Sequence, residues 1–336
     1  MTTNRALHAA PAELIDASTR KPRFGTYVGS LPPVDLAATG ASLPEILTRG
    51  KRWMYVILAS DEVICCAAVV RLGYASNAFA FAVDRTTGSP IADITAMGPA
   101  FIASVSDRAG EGCDAKFGLG PKQFSFDRPY GSKDYTVKVR GPRLRLDARL
   151  STTNAPEPLA VVCELRGGRF STTEKRALLD VEGTLIAGGK TYDLKGAFGG
   201  YDYTAGLLER RTAWKWGFGM GRSSDGRPLA CNLTEGFVGQ RECVAWVGKD
   251  VVPLGAVQFS FDRNDVVKPW KVRADRGVFD VDFDGTYLHE ERHNLVVIQS
   301  SFQQVAGAFR GKLVLPNETV TFDKLAGVTE DQDTLW

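Results

Sequence analysis

The chain has no long uninterrupted apolar run. Its longest hydrophobic stretch, Trp53–Val70, is cut by Ser60, Asp61 and Glu62. A membrane helix needs about 20 apolar residues in a row, so two strands joined by a short turn explain the stretch better. Nothing in the opening MTTNRALHAAPAELIDAST resembles the apolar core of an export signal, and a cytoplasmic protein is expected. An excess of one charge is also missing. The 41 Lys and Arg stand against 39 Asp and Glu, a net +2 that gives no electrostatic case for nucleic acid or an anionic membrane surface. The six cysteines contain no C-x-x-C, and Cys65 and Cys66 are adjacent in a β-like run. Reduced thiols packed as small hydrophobes are expected. There is no G-x-x-x-x-G-K-[ST] and no G-x-S-x-G. The run GFGMG at Gly217–Gly221 follows a Trp-x-Trp and precedes a Ser-Ser-Asp-Gly turn, so it is no phosphate loop. No nucleotide and no cofactor is implied.

What remains is a chain of short β-rich runs broken by Gly and Asp. At 336 residues, 44% hydrophobic, it is long enough for two domains. Residues 1–21 read as a loosely attached arm with a short helix at Pro11–Ala17, and a second short helix is expected at Pro44–Thr48. Strand texture resumes with the hairpin RWMYVILAS-DE-VICCAAVVRLGY. In TVKVRGPRLRLDARL, Val137, Val139, Leu144 and Leu146 alternate with basic residues, the signature of a half-buried strand. Ser171-Thr-Thr-Glu174 fits a helix capping box, but VEGTLIAGG returns to strand texture at once, and the segment is read as strand. Gly188–Gly189 is a hairpin turn.

An internal repeat organises the whole. QFSFDR occurs at Gln123–Arg128 and again at Gln258–Arg263, each copy followed by an alternating basic strand. GTLIAGGKTYDLKG (Gly183–Gly196) matches GKLVLPNETVTFDK (Gly311–Lys324), and Trp53 and Trp214 each open a strand-turn-strand unit. The matches keep one order, with the second copy shorter, as in a duplicated domain. The fold expected is all-β: two tandem antiparallel barrels, residues 22–200 and 201–336, with a pair of β-sandwiches as the alternative.

The segments KRWMYV, the FSFDR pair, DYTAGLLERRTAWKW with DGRPLACNLTEGF, and HNLVVIQSSFQQVAGAFRGKL together resemble an uncharacterised bacterial domain-of-unknown-function family, from about Arg23 to about Gly327. More distantly, the duplicated barrel whose second half opens on Ala-Trp is similar to the tandem lipocalin-like proteins, among them carotenoid hydratases, tocopherol cyclase and some cycloaddition catalysts. That resemblance implies two lipocalin-like barrels and a catalytic acid at their junction. It transfers no individual residue.

Candidate site residues come from three places. The first is Tyr201–Phe237. Here Asp202 and Tyr203 are a candidate proton donor and its partner, and Trp214 and Trp216 share a strand face suited to wall an apolar or cationic species. Arg210 and Arg211 are candidates to hold a carboxylate or to bridge the two domains. Asn232 and Glu235 sit among apolar residues, and Glu235 is the preferred acid or base. The second is His289-Glu290-Glu291-Arg292-His293, which satisfies H-E-x-x-H. Zinc chemistry there requires a helix, whereas the flanking VFDVDF alternates and Asp284–Gly285 reads as a hairpin turn. On a strand His289, Glu291 and His293 share one face, lining a polar cavity or forming an ion-pair network. These are two of three histidines in the chain. The third is SSFQQVAGAFRGKL, where Ser300, Ser301, Gln303 and Gln304 are candidates to hydrogen-bond a ligand, with strand-edge polarity as the equal alternative. Gly307 and Gly311 mark bends at which a barrel closes, and the stretch is read as structural.

The expectation is therefore a protein that binds a hydrophobic, lipid- or terpenoid-like molecule in an aromatic-lined cavity near the barrel junction. Cofactor-free acid–base chemistry by Glu235, Asp202, His289 or His293 is one use of such a cavity. A non-catalytic carrier or structural module is the alternative, and a zinc hydrolase at His289 and His293 a lesser one.

Overall fold

The computed structural model describes residues 7–294 and 299–335, and the side chains of Arg276 and His293 lie outside the described residues. Two strongly curled sheets carry almost all the regular structure. In the first the strands run Pro90–Pro99, Ala75–Asp84, Val63–Leu72, Gly50–Ala59, Ala197–Leu207, Phe170–Ala187, Leu144–Ser151, Asp134–Gly141, Lys122–Arg128, Cys113–Leu119 and Ala103–Val105. In the second the order is Asp250–Pro253, Val244–Val247, Pro228–Gly236, Arg211–Arg222, Thr319–Leu335, Gln299–Val314, Phe279–Asn294, Trp270–Ala274 and Val257–Ser260. The second order reproduces the first strand for strand along its central path, so the sequence repeat is a structural duplication. The first QFSFDR copy lies on Lys122–Arg128, and the second begins on the matching strand Val257–Ser260 and runs past its end.

Side-chain alternation sets the register. Along Asp134–Gly141 and Leu144–Ser151, Val137, Val139, Leu144 and Leu146 are buried while the basic residues between them face outward. Three apolar cores result. One fills each barrel, and the third lies between them, where Tyr55, Ile57, Phe79 and Phe81 of the first sheet meet Trp216, Phe218, Met220 and Trp246 of the second. Strands at this junction are covered on both faces, and so VICCAAVV reads as an unbroken apolar run. Close approach is possible because Gly200 is small. A Cβ there would stand 2.7 Å from the Phe218 ring and 2.9 Å from the Arg176 carbonyl oxygen.

The helix Leu43–Arg49, capped by Ser42, forms where expected, as do the Trp53 hairpin and the Gly188–Gly189 turn. Two expectations are corrected. Pro11–Ala17 is not helical; Ile15 bridges to Pro22, and Leu14 packs into the first core at 2% exposure. His8–Ala9 pairs in parallel with Gly25–Val28, so the described part of the arm is docked. Asp284–Gly285 is no turn: Phe279–Asn294 is one strand that passes through it, with a bulge between Gly285 and Tyr287. A bulge bends a strand without reversing it, and a short sequence window does not separate the two. Phe170–Ala187 is a strand throughout, bulged between Arg176 and Leu179, where Leu178 takes a positive φ of 60°. The chain changes sheets between Leu207 and Arg211. Among the described residues no helix is long and apolar enough to cross a membrane.

Candidate functional site

The Gly50–Ala59 and Arg211–Arg222 strands are the matching strands of the two copies, and they face each other across the junction. Trp53 stacks on Trp214, with ring centroids 6.0 Å apart and planes 22° from parallel. One pleat further in, Tyr55 meets Trp216 edge to face at 5.4 Å. Beside these rings lies a half-open pocket of about 100 Å³, lined also by Phe79, Phe237 and Phe302 and, on its polar side, by Lys175, Asp202, Glu242 and Glu330.

The polar side is itself duplicated. Asp202 lies opposite Tyr55 in the ladder, and Glu330 lies opposite Trp216. On its other flank Asp202 faces Lys175, while Glu330 faces Gln304. Each carboxylate accepts an indole N–H: Trp53 Nε1 to Asp202 Oδ2 at 3.5 Å, and Trp214 Nε1 to Glu330 Oε1 at 2.6 Å.

The two positions differ in charge compensation. Lys175 Nζ sits 2.8 Å from Asp202 Oδ1 and 3.4 Å from Glu242 Oε2, and 5.3 Å over the Trp216 ring. Burial acts to lower the Lys175 pKa, but the two carboxylates outweigh it and raise it. Glu242 is raised by burial, with Lys175 acting against the shift. Among the described residues the hydrogen-bond donors to Glu330 are neutral, Trp214 and the Gln304 amide at 2.9 Å. Burial pushes its carboxyl up to about 7, and the Asp202 charge adds to this against the two donors and Lys175. Tyr55 Oη–H donates to Gln304 Oε1 at 3.3 Å and thereby orients that amide. At neutral pH the pocket thus holds an ion-paired aspartate and a carboxyl group poised between its two forms.

His289 adjoins the pocket, stacked on Phe79 and Phe81. Its Nδ1 is 2.7 Å from Asp93 Oδ2, and its Nε2 is 3.5 Å from Glu291 Oε1. Burial acts to lower the imidazole pKa, but the two carboxylates override it and push it up to about 9. Glu291 accepts Asn77 Nδ2–H at 2.6 Å and Thr95 Oγ1–H at 3.0 Å, and Tyr287 Oη–H donates to Asp93. This network ties the two barrels together. As expected for a strand, His289 and Glu291 are buried while Glu290 and Arg292 pair with each other on the outer face. The H-E-x-x-H therefore lacks the helical geometry a zinc peptidase needs, and the His293 side chain lies outside the described residues.

Of the residues singled out by sequence, Asp202, Trp214 and Trp216 line the pocket. Asn232 supports it from behind, its Oδ1 accepting Trp216 Nε1–H at 2.8 Å and its Nδ2–H donating to the Glu242 carbonyl at 2.7 Å. Tyr203 alternates to the other face and donates to the Ser106 carbonyl at 3.0 Å inside the first barrel. Arg210 is exposed in the link between sheets, and Arg211 pairs with Asp333 at the surface. Glu235 does not join the site. Thr234 lines the pocket, and its neighbour Glu235 points away, held 2.6 Å from Lys215 Nζ and accepting the Phe259 N–H. Sequence reasoning passed over Lys175, Glu242 and Glu330, and read Gln304 as structural. For Glu330 a signal existed, since continuing the repeat alignment past Lys324 sets it against Asp202.

The chain belongs to the family described as "Domain of unknown function (DUF2804)", which it matches over residues 8–336. No curated protein is similar enough in sequence to match. Solved structures share the architecture. An AttH-type protein from Nitrosomonas europaea is 12% identical with a TM-score of 0.55, covering 90% of this chain and 98% of its own. Kievitone hydratase from Nectria haematococca is 12% identical with a TM-score of 0.51, over 88% and 92%. CghA is 13% identical with a TM-score of 0.55, over 96% and 97%. At this identity the likeness is one of fold, the tandem lipocalin-type barrel.

Proposed function

We propose that this member of the DUF2804 family binds a hydrophobic small molecule in the inter-barrel pocket and acts on it by cofactor-free acid–base chemistry, with Glu330 as the general acid. One observation carries the reading. A fully buried carboxyl group with a pKa near 7 lies beside an ion-paired aspartate in an aromatic-walled pocket. A carrier predicts carboxylates that are salt-bridged or exposed and a wholly apolar pocket. Asp202 and Glu242 are salt-bridged to Lys175, so the distinction rests on Glu330, which is buried and held by Trp214 and Gln304. That one of the structural relatives is a hydratase agrees with the class.

In this reading Glu330 protonates an alkene or enol carbon, or the oxygen of a leaving hydroxyl. The faces of Trp53, Trp214 and Trp216 shelter the positive charge that develops. Asp202, held by Lys175, takes the proton from an attacking water or from the carbon next to the cation. Those two outcomes are hydration and isomerisation, and the reverse course is dehydration. A pocket of about 100 Å³ encloses the reacting end of a substrate, with the rest of the molecule lying in its open mouth. Six buried free thiols fit a reducing compartment and support a cytoplasmic location.

The test is native mass spectrometry of protein purified from a cell extract, comparing wild type with Glu330→Gln. A retained apolar molecule is expected that differs from wild type to variant in mass by the elements of water, or, at equal mass, in chromatographic retention after release. The same molecule bound unchanged by both proteins would establish a carrier and overturn the catalytic reading.

A further inference from the structure

Arg176 follows Lys175 in the same strand and faces the other way. Lys175 looks into the inter-barrel pocket, whereas Arg176 looks into a separate cavity of about 560 Å³ at one end of the first barrel, which shares no lining residue with it. Four cations line this cavity, Arg108, Arg128, Lys133 and Arg176, against two acids, Glu111 and Glu157.

Two of the guanidinium groups are already engaged. Arg108 Nε–H donates to Asp107 at 2.8 Å, and its Nη1–H donates to Tyr130 Oη at 2.6 Å. Arg128 donates from Nε to the Ser132 carbonyl at 2.7 Å and reaches Glu111 at 3.5 Å. Arg176 is different. It is 6% exposed, and its Nε–H donates to the Pro156 carbonyl at 3.0 Å. Among the described residues its two terminal nitrogens meet no acceptor. Glu174 feels the Arg176 charge, which favours its ionised form, but its oxygens are occupied by Tyr201 Oη–H, Ser30 Oγ–H and the Leu31 N–H, and it lies beyond ion-pair distance of Arg176. A guanidinium fork left open on a cavity wall presents two parallel N–H donors that match a planar oxyanion.

We infer that this cavity binds a small molecule bearing a carboxylate or phosphate group. Arg176 takes two of its oxygens through the terminal nitrogens, and Lys133, exposed at the rim, supplies a second positive charge. The site is independent of the inter-barrel chemistry.

Calorimetric titration with inorganic phosphate and with acetate, each against chloride at matched ionic strength, tests it. Saturable binding of at least one probe is expected, and the tighter of the two identifies the head group. Arg176→Gln and Lys133→Ala should each weaken that binding about tenfold, as loss of one charge-assisted contact does. Glu330→Gln should leave it unchanged. Lys133 is exposed, so its variant reports on the site even if the Arg176 variant does not fold. Absence of saturable binding by either probe would overturn the inference, as would binding indifferent to Lys133→Ala.

Discussion

Asp202 and Glu330 occupy the same place in the two copies of the repeat. Each faces an aromatic residue on the neighbouring strand, and each accepts an indole N–H from the Trp53–Trp214 stack. They differ in the third neighbour, which is Lys175 for Asp202 and Gln304 for Glu330. A duplication would give two like carboxylates, and one lysine-for-glutamine difference makes them unlike. Pairs of acids whose surroundings separate their protonation states are how a fold carries both an acid and a base.

Restoring the symmetry should abolish the difference. Gln304→Lys places a cation beside Glu330 and should bring its pKa down from about 7 by at least one unit, about 1.4 kcal/mol. The carboxyl infrared band followed against pH, with Glu330→Gln as the blank, measures it. Glu235→Gln should leave that band in place, because Glu235 pairs with Lys215 outside the pocket.

Lys175→Met removes the cation that bridges Asp202 and Glu242. Two buried carboxylates are left without a counter-charge, and a loss of about 3–5 kcal/mol in stability is expected. Urea unfolding at pH 7 should show a lower midpoint. The deficit should shrink as pH falls, where the Glu242 carboxyl, raised by burial, takes up a proton. A loss that did not depend on pH would point to packing instead of charge.

Stability should fall as pH rises through neutrality. Glu330 titrates near 7 in place of 4.5, and His289 near 9 in place of 6.5. Both groups hold their proton in the folded chain after the unfolded chain has released it. Their contributions are therefore complete below the ordinary values and are lost as pH rises to the shifted ones. Glu330 acts between about pH 4.5 and 7 and His289 between about 6.5 and 9, each by about 3 kcal/mol. Unfolding curves of wild type and His289→Gln from pH 6 to pH 9 separate them. The variant should be less stable at pH 6, should keep the Glu330 decline up to about pH 7 and should lack the further decline toward pH 9.

Gly200→Ala should loosen the junction without touching a polar side chain. Its Cβ would stand 2.7 Å from the Phe218 ring and 2.9 Å from the Arg176 carbonyl oxygen. Neither the ring in its packed core nor the backbone can yield easily, and a cost of about 1–3 kcal/mol is expected. Differential scanning calorimetry measures it. Gly110→Ala, where a Cβ would meet Ser30 at an ordinary contact distance of 3.5 Å, serves as the comparison and should shift the transition little.

The amino-acid sequence by itself determined the all-β class, the duplication and the aromatic face of the site. Those features are local or periodic. Alternation of Val137, Val139, Leu144 and Leu146 defines a strand whatever lies above it, the repeated QFSFDR marks a second copy, and Trp214 and Trp216 two residues apart share a strand face. Tertiary structure alone decided which polar groups meet. Lys175 and Asp202 come from neighbouring strands of the first sheet, Glu242 and Glu330 from distant parts of the second copy, and only the packing of barrel on barrel sets them around one pocket. Glu235 is set aside by strand alternation, a local property, once packing has placed its neighbour Thr234 on the pocket wall. The pKa of Glu330 is likewise a property of burial and of a glutamine where a lysine stands in the other copy, and desolvation exists only once the two sheets have closed over it.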